Sequence, residues 1–301
     1  MTNCDDMRAN DSSMLVSIVV PVYNSATILP ELVRRLVHVM EFEKGGYEII
    51  LVDDGSMDES WDVISQLGTK DKRVAGVRLR KNMGQWVAVL AGLSKAGGSY
   101  LITIDDDLEY HPEDIPLLYK ALVSNPYKVV FGMASGKYEK QGKNSRLSHT
   151  RKKILNMFWG TPPTDSFRIF HRGTVFREGE FLPTVLLEAF MARTLTRKDY
   201  GYVEVGFSQR YWGKSNHPLS KKIGLFVRYS MHYGVWPLGY MVCVLLLVGL
   251  GMAWYGGLGA NGCIWFGYGL YSVTVLALAA YILWNRGRML GPDVIRDTVN
   301  L

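Results

Sequence analysis

The segment D-D-D-L-E at Asp105–Glu109 packs acidic side chains at every position but one. Carboxylate oxygens at this density suit Mg2+ or Mn2+, hard cations that keep part of their water and bind the phosphate oxygens of a substrate. In an extended segment alternate side chains share a face, so Asp105, Asp107 and Glu109 are expected on one side and Asp106 on the other. The same residues could instead form a solvated acidic turn capping a helix that begins near His111–Pro112; the strongly apolar run just before them favours the metal site. A second acidic pair, Asp53 and Asp54, ends another apolar run. These carboxylates can accept hydrogen bonds from a base or ribose while a metal engages a diphosphate. Within residues 14–216 neither G-x-G-x-x-G nor G-x-x-x-x-G-K-[ST] occurs, so a dinucleotide fingerprint and a P-loop lose their main support.

One frame accounts for the placement of these groups. From Leu15 the run L-V-S-I-V-V-P-V-Y-N is apolar and β-branched up to Pro21, as expected of a buried parallel strand entering a loop. A helix is predicted from about Ile28 to Met40, a strand over Y-E-I-I-L-V, a helix from Glu59 to Leu67 and a strand over V-A-G-V-R-L. A helix from Gln85 to Lys95 follows, then a fourth strand that runs into the acidic loop. This alternation predicts an α/β fold with a mostly parallel sheet covered on both faces. Chemistry in such sheets gathers at the carboxyl ends of strands. The loops Pro21–Asn24, Asp53–Asp54, Arg80–Gln85 and Asp105–Glu109 all fall there.

V-D-D-G-S at Val52–Ser56, D-D-D-L-E at Asp105–Glu109 and P-V-Y-N at Pro21–Asn24 resemble family 2 glycosyltransferases, which have the nucleotide-sugar-binding GT-A fold. With N-M-G-Q at Asn82–Gln85, S-F-R at Ser166–Arg168, R-Y-W-G-K-S at Arg210–Ser215 and a terminal apolar hairpin, the chain is similar to the polyprenyl-phosphate glycosyltransferases. That group includes dolichyl-phosphate mannose synthases and undecaprenyl-phosphate sugar transferases, and the resemblance covers about residues 14–285. It implies that Pro21, Tyr23, Asn24 and Asp53, with Asp54 and Asp105, hold the nucleotide. It places Asp105, Asp107 and Glu109 around Mg2+ or Mn2+, with Glu109 standing where the family commonly has Gln. Arg168, Arg210 and Ser215 would face the donor and acceptor phosphates, and Asp107, Arg168 and Arg210 would act in catalysis. Gly132 is followed by Met133-Ala134-Ser135, and Ser215 by Asn216, where relatives often carry basic residues; Lys137 is the expected substitute at the first.

The implied reaction moves a sugar from a nucleotide-sugar donor, a UDP-sugar ahead of GDP-mannose, to a polyprenyl phosphate with inversion. A lipid monophosphate is anionic near neutral pH and needs no strong general base. Asp165, beside Ser166, is either a base or a surface acid. Two other functions are kept open: a non-catalytic nucleotide-sugar-binding membrane scaffold, and a processive polysaccharide synthase, which would add a Q-x-x-R-W motif and more membrane helices.

Charge is dense up to Arg228 and nearly absent until Arg286. Val235–Tyr255 and Ile264–Trp284 are uncharged runs of about 20 residues, enough at ~1.5 Å per residue to cross a ~30 Å hydrocarbon layer. Trp236, Tyr240, Trp254, Tyr255, Trp265 and Trp284 form aromatic belts near the ends. Lys221, Lys222 and Arg228 precede this hairpin, Arg286, Arg288 and Arg296 follow it, and the connecting loop is uncharged. A multi-pass protein of the cell membrane is expected, with its catalytic domain and both termini cytoplasmic. Glycines in the runs permit close helix packing and a homo-oligomer. Leu147, Ile154, Leu155, Phe158 and Trp159 share a helical face, and Leu219, Ile223, Phe226 and Val227 alternate with basic residues, so two amphipathic helices could lie on the bilayer.

The expected divisions are a polar tail over 1–13 without signal-peptide character, a GT-A domain over 14–216 and a juxtamembrane helix over 217–233. A transmembrane hairpin over 234–285 and a cytoplasmic tail over 286–301 complete the chain. Cys4, Cys243 and Cys263 support neither a disulfide framework nor a zinc cluster. The net charge of +6 collects next to the membrane runs and no DNA-binding motif occurs, so anionic lipid is the expected partner and nucleic acid is not.

Overall fold

The computed structural model describes residues 16–41, 46–134, 165–177, 180–181, 187, 191, 194–208 and 294–301. The chain divides into two compact units, Met1–Lys214 with Leu290–Leu301, and Ser215–Met289. Every described residue belongs to the first. The expected membrane hairpin and both amphipathic helices lie outside the described residues. Among the described residues no helix is long and apolar enough to cross a membrane.

Among the described residues the first unit is built on β1 (Val16–Val22), β2 (Tyr47–Asp53), β3 (Val74–Leu79), β4 (Tyr100–Thr103), β5 (Val129–Ala134), β6 (Arg168–His171), β9 (Tyr200–Val205) and β10 (Ile295–Val299). They form an 8-stranded sheet in the order β10-β3-β2-β1-β4-β6-β5-β9. β7 (Phe176–Arg177) and β8 (Glu180–Phe181) form a separate small ribbon. β6 runs antiparallel to β4 and β5, β10 runs antiparallel to β3, and the other neighbours are parallel. A mostly parallel α/β sheet is therefore present, as expected.

Helices cover both faces because both faces of the strands are apolar; all of β1 is buried. α1 (Leu29–Met40) turns Leu29, Leu32, Val33, Leu36 and Met40 inward at helical spacing, with Pro30 in its first turn where a missing N–H costs nothing. It shares one face of the sheet with α2 (Ser60–Lys70) and α4 (Ile115–Val123). α3 (Gln85–Lys95) covers the other face. Gly92 brings α3 close to β1 and β2: a Cβ there would overlap Val19 and lie 2.8 Å from Val52.

The C-terminal residues, expected to be a tail, instead supply an edge strand. Ile295, Thr298 and Val299 are β-branched residues suited to a strand, and β10 pairs with β3 from Gly76 to Leu79. The Asn300 side chain donates to the carbonyls of Gly68 at 2.6 Å and Val74 at 2.9 Å, fastening this strand to the end of α2. Arg296 and Asp297 interrupt the apolar pattern, so the strand has little sequence signal of its own.

Candidate active site

The carboxyl ends of β1, β2, β3 and β4 put their loops on one rim, and the start of β6 and the end of β9 reach the same rim. The loop after β1 is held by the loop after β2. Asn24 takes a left-handed conformation (φ 54°), donates through its backbone N–H to Ser56 Oγ at 3.0 Å and accepts from Met57 N–H through Oδ1 at 2.9 Å. Tyr23 is 43% exposed, an aromatic surface open to a ligand.

The two acids after β2 point to different jobs. Asp54 accepts the backbone N–H groups of Met83 at 2.7 Å and Gly84 at 2.8 Å, which holds the N-M-G turn at the start of α3. Burial pushes Asp54 up to about 6, against the pull of those two hydrogen bonds. Gly55 (φ 67°) lets this loop pass the backbone of Lys81 and Asn82 at 2.6 Å from where a Cβ would sit. Asp53 is 0% exposed. Its Oδ1 accepts from Ser56 N–H at 2.9 Å, and its Oδ2 lies 3.2 Å from Nε of Arg78 but out of line for a hydrogen bond.

The acidic loop is tied to three neighbours. Asp105 receives Gln85 Nε2 on Oδ1 at 2.5 Å and Ser166 Oγ on Oδ2 at 2.6 Å. Asp106 accepts Tyr23 N–H at 3.3 Å and the Ser25 hydroxyl, facing away toward the β1 loop. Asp107 Oδ1 accepts Glu109 N–H at 3.1 Å. Burial pushes Asp105 up to about 7 and Asp106 up to about 6; the crowd of neighbouring carboxylates adds to both, and their hydrogen-bond donors oppose it.

The model of the family described as Glycosyl transferase family 2 matches residues 17–180. The chain belongs to glycosyl transferase family 2. An undecaprenyl-phosphate 4-deoxy-4-formamido-L-arabinose transferase from Aeromonas hydrophila is 32% identical over 230 residues, covering 72% of this glycosyltransferase and 67% of the relative. The Proteus mirabilis protein of the same name is 31% identical, covering 70% and 65%. This glycosyltransferase spans about two thirds of the length of the curated relatives it matches. Mannosyl-3-phosphoglycerate synthase from Rubrobacter xylanophilus superposes with a TM-score of 0.57 at 16% identity, covering 75% of each chain. Glucosyl-3-phosphoglycerate synthase from Mycobacterium tuberculosis, solved with Mn2+ and uridine-diphosphate-glucose, gives 0.52 at 17%, covering 73% and 79%. At those identities the likeness is one of fold, and the fold is GT-A.

Several residues of the glycosyltransferase sit where the sequence did not put them. The alternation expected of Asp105, Asp107 and Glu109 is broken at Leu108, whose φ of 56° turns the chain and sends its side chain into the core at 4% exposure. Among the described residues no group of three metal-ligating side chains comes together. A divalent cation here would be held by Asp105 and Asp107, with water and substrate oxygens completing the shell. Burial first, and the neighbouring carboxylates after it, raise Asp105; a divalent cation would relieve the crowding, and the oxygens bonded to Gln85 and Ser166 keep a second lone pair each.

Of the residues expected to hold the nucleotide, Pro21 is a buried member of β1 paired with Val52, and the two oxygens of Asp54 accept from the N–H groups of Met83 and Gly84. Arg168 is 1% exposed, with Nε donating to Thr103 Oγ1 at 3.2 Å. Arg210, Ser215, Asn216 and Lys137 lie outside the described residues.

Sequence reasoning also passed over residues that the fold recruits. Gln85 and Ser166 stood inside the quoted motifs but without a role; their hydrogen bonds to Asp105 give them one. Arg78 had no local signal, since only strand register sets it beside Asp53. Asp165 lies against the Tyr110 hydroxyl, a contact that, after burial and together with the Asp165 charge, raises the phenol far above its usual range.

Proposed function

We propose that this glycosyltransferase moves a sugar from a UDP-sugar to a polyprenyl phosphate with inversion, using Mg2+ or Mn2+, at the cytoplasmic face of the cell membrane. The observation that carries the reading is the convergence of Asp105, fixed by Gln85 and Ser166, with exposed Tyr23 on one rim of a GT-A sheet. The relatives named as undecaprenyl-phosphate transferases support the lipid acceptor.

Asp105 and Asp107 would hold the cation, which when bound supplies positive charge to the departing diphosphate. Tyr23 offers a face for the base. Gln85 and Ser166 orient Asp105, while Asp54 and Asn24 keep the surrounding loops in register. The acceptor phosphate oxygen bonds to the anomeric carbon as the bond from that carbon to the nucleoside diphosphate breaks; no proton has to be removed from a dianionic phosphate.

The location is supported by the sequence: Lys221, Lys222 and Arg228 precede the apolar runs, Arg286 and Arg288 follow them, and the stretch between the runs is uncharged.

The test incubates membranes containing the protein with undecaprenyl phosphate and labelled UDP-glucose, UDP-N-acetylhexosamines or GDP-mannose. Labelled lipid from a UDP-sugar, abolished by EDTA and restored by Mg2+ or Mn2+, is expected. No labelled lipid from any donor would sink the reading, and product from GDP-mannose alone would overturn the base assignment.

A further inference from the structure

β4 and β6 pair antiparallel from Tyr100–His171 to Thr103–Arg168, and the same register carried two residues further sets Asp105 opposite Ser166. Four polar side chains therefore meet at the end of this strand pair. Arg168 Nε donates to Thr103 Oγ1 at 3.2 Å, the Thr103 hydroxyl donates to the Ser166 carbonyl at 2.6 Å, and Ser166 Oγ donates to Asp105 Oδ2 at 2.6 Å. Thr103 and Arg168 are each 1% exposed.

The first member fixes the direction of this chain of bonds. A guanidinium has donors and no acceptor, so it occupies a lone pair of the Thr103 oxygen and leaves the hydroxyl proton for another partner. The Ser166 carbonyl is that partner. Ser166 lies past the last β4–β6 pair, so the threonine hydroxyl continues the fastening that the backbone ladder began. From the other side Gly132 N–H donates to the Phe167 carbonyl at 2.9 Å, so β5 holds the next residue while Thr103 holds Ser166. An apolar pair would fill this place in the sheet without the desolvation cost of a buried guanidinium. A polar pair here is explained by what it does at the far end of the chain, where Ser166 is presented to Asp105.

We propose that Thr103 and Arg168 are positioning residues for Asp105: Arg168 orients the Thr103 hydroxyl, and that hydroxyl holds the Ser166 backbone where its side chain meets the carboxylate. In this role neither residue touches substrate or cation. The inference rests on the reading of Asp105 as a cation ligand, and it gives Arg168 a task inside the sheet rather than at a phosphate.

The test measures Mn2+ binding by the full-length protein in detergent with UDP present, from the electron paramagnetic resonance of free Mn2+, together with kcat at saturating metal. Thr103→Val removes the hydroxyl and is expected to raise the Mn2+ dissociation constant about tenfold, the lower end for a group that supports a metal ligand. Thr103→Ser, which keeps the hydroxyl, should restore it. In a Ser166→Ala background Thr103→Val should add nothing, because the chain to Asp105 is already cut. Arg168→Met supplies the same comparison from the other end of the chain: weaker Mn2+ binding, with kcat at saturating Mn2+ no lower than in Ser166→Ala. Thermal midpoints control for folding, since a merely structural role would lower the midpoint and leave Mn2+ affinity unchanged. Unchanged Mn2+ affinity in Thr103→Val, no recovery in Thr103→Ser, or effects that multiply with Ser166→Ala would overturn the positioning role while leaving Asp105 a ligand. A kcat for Arg168→Met far below that of Ser166→Ala would make Arg168 a substrate contact and overturn its part in the chain. A wild-type protein that binds no Mn2+ with UDP present would overturn the cation reading itself, and the positioning role with it.

Discussion

Ser166 and Asp105, 61 residues apart, meet through a hydrogen bond of 2.6 Å from the hydroxyl to Oδ2. One residue precedes β6 and the other follows β4, and antiparallel pairing of those strands brings them together. Charge-assisted bonds of this type are worth roughly 1.5–3 kcal/mol. Ser166→Ala should leave Asp105 held by Gln85 alone, lower kcat by about tenfold and raise the Mn2+ concentration needed for half-maximal activity. A metal titration of both proteins decides this; identical half-saturation would remove Ser166 from the site.

The turn at Leu108 separates the roles of two acids that sequence alternation would group. Asp107→Ala should reduce lipid product by about 100-fold or more through loss of charge stabilisation at the diphosphate. Glu109→Gln should keep activity within about threefold, as a cation with two protein carboxylates does not require a third. Product formation by both variants at saturating metal is the measurement. Equal losses would restore Glu109 as a ligand and reject the two-carboxylate arrangement.

Asp54 gives stability a pH dependence with a definite sign. Its folded-state pKa is raised from 3.8 to about 6 by burial, so its favourable contribution is present below pH 3.8 and disappears as pH rises to about 6. A shift of this size corresponds to roughly 3 kcal/mol across that window. Asp54→Asn cannot titrate, so the stability advantage of wild type over the variant should shrink between pH 4 and pH 6. Thermal midpoints of the detergent-purified proteins at several pH values provide the check; a constant difference would contradict it.

The terminal strand should be part of the stable domain. Removing residues 294–301 exposes the edge of β3, and Asn300→Ala takes the donor from the carbonyls of Gly68 and Val74, a change worth about 1–3 kcal/mol. Both variants should melt below wild type, the truncation lower of the two. An unchanged midpoint in the truncated protein would show that β10 contributes nothing to the fold.

Much of the first half of the molecule was legible in the sequence because its signals are local. The V-A-G-V-R-L run is β3 and the Gln85–Lys95 helix is α3 with the predicted ends, since apolar periodicity and flanking breakers act over a few residues. The parallel arrangement followed from alternation, and four polar strand ends predicted the rim. Motif order carried the family, which the relatives then showed.

The sequence by itself therefore determined that acids and polar loops would gather at strand ends of a family 2 glycosyltransferase. Only the tertiary structure decided which atoms they would meet. Asp54 faces inward because Met83 and Gly84 N–H groups need an acceptor there, and Glu109 leaves the alternation because Leu108 turns back to bury its side chain. Ser166 reaches Asp105, and Ser208 reaches His111, through strand pairing between distant parts of the chain. Such contacts depend on register and on competition for buried hydrogen-bond partners, and neither leaves a periodic trace in the order of amino acids.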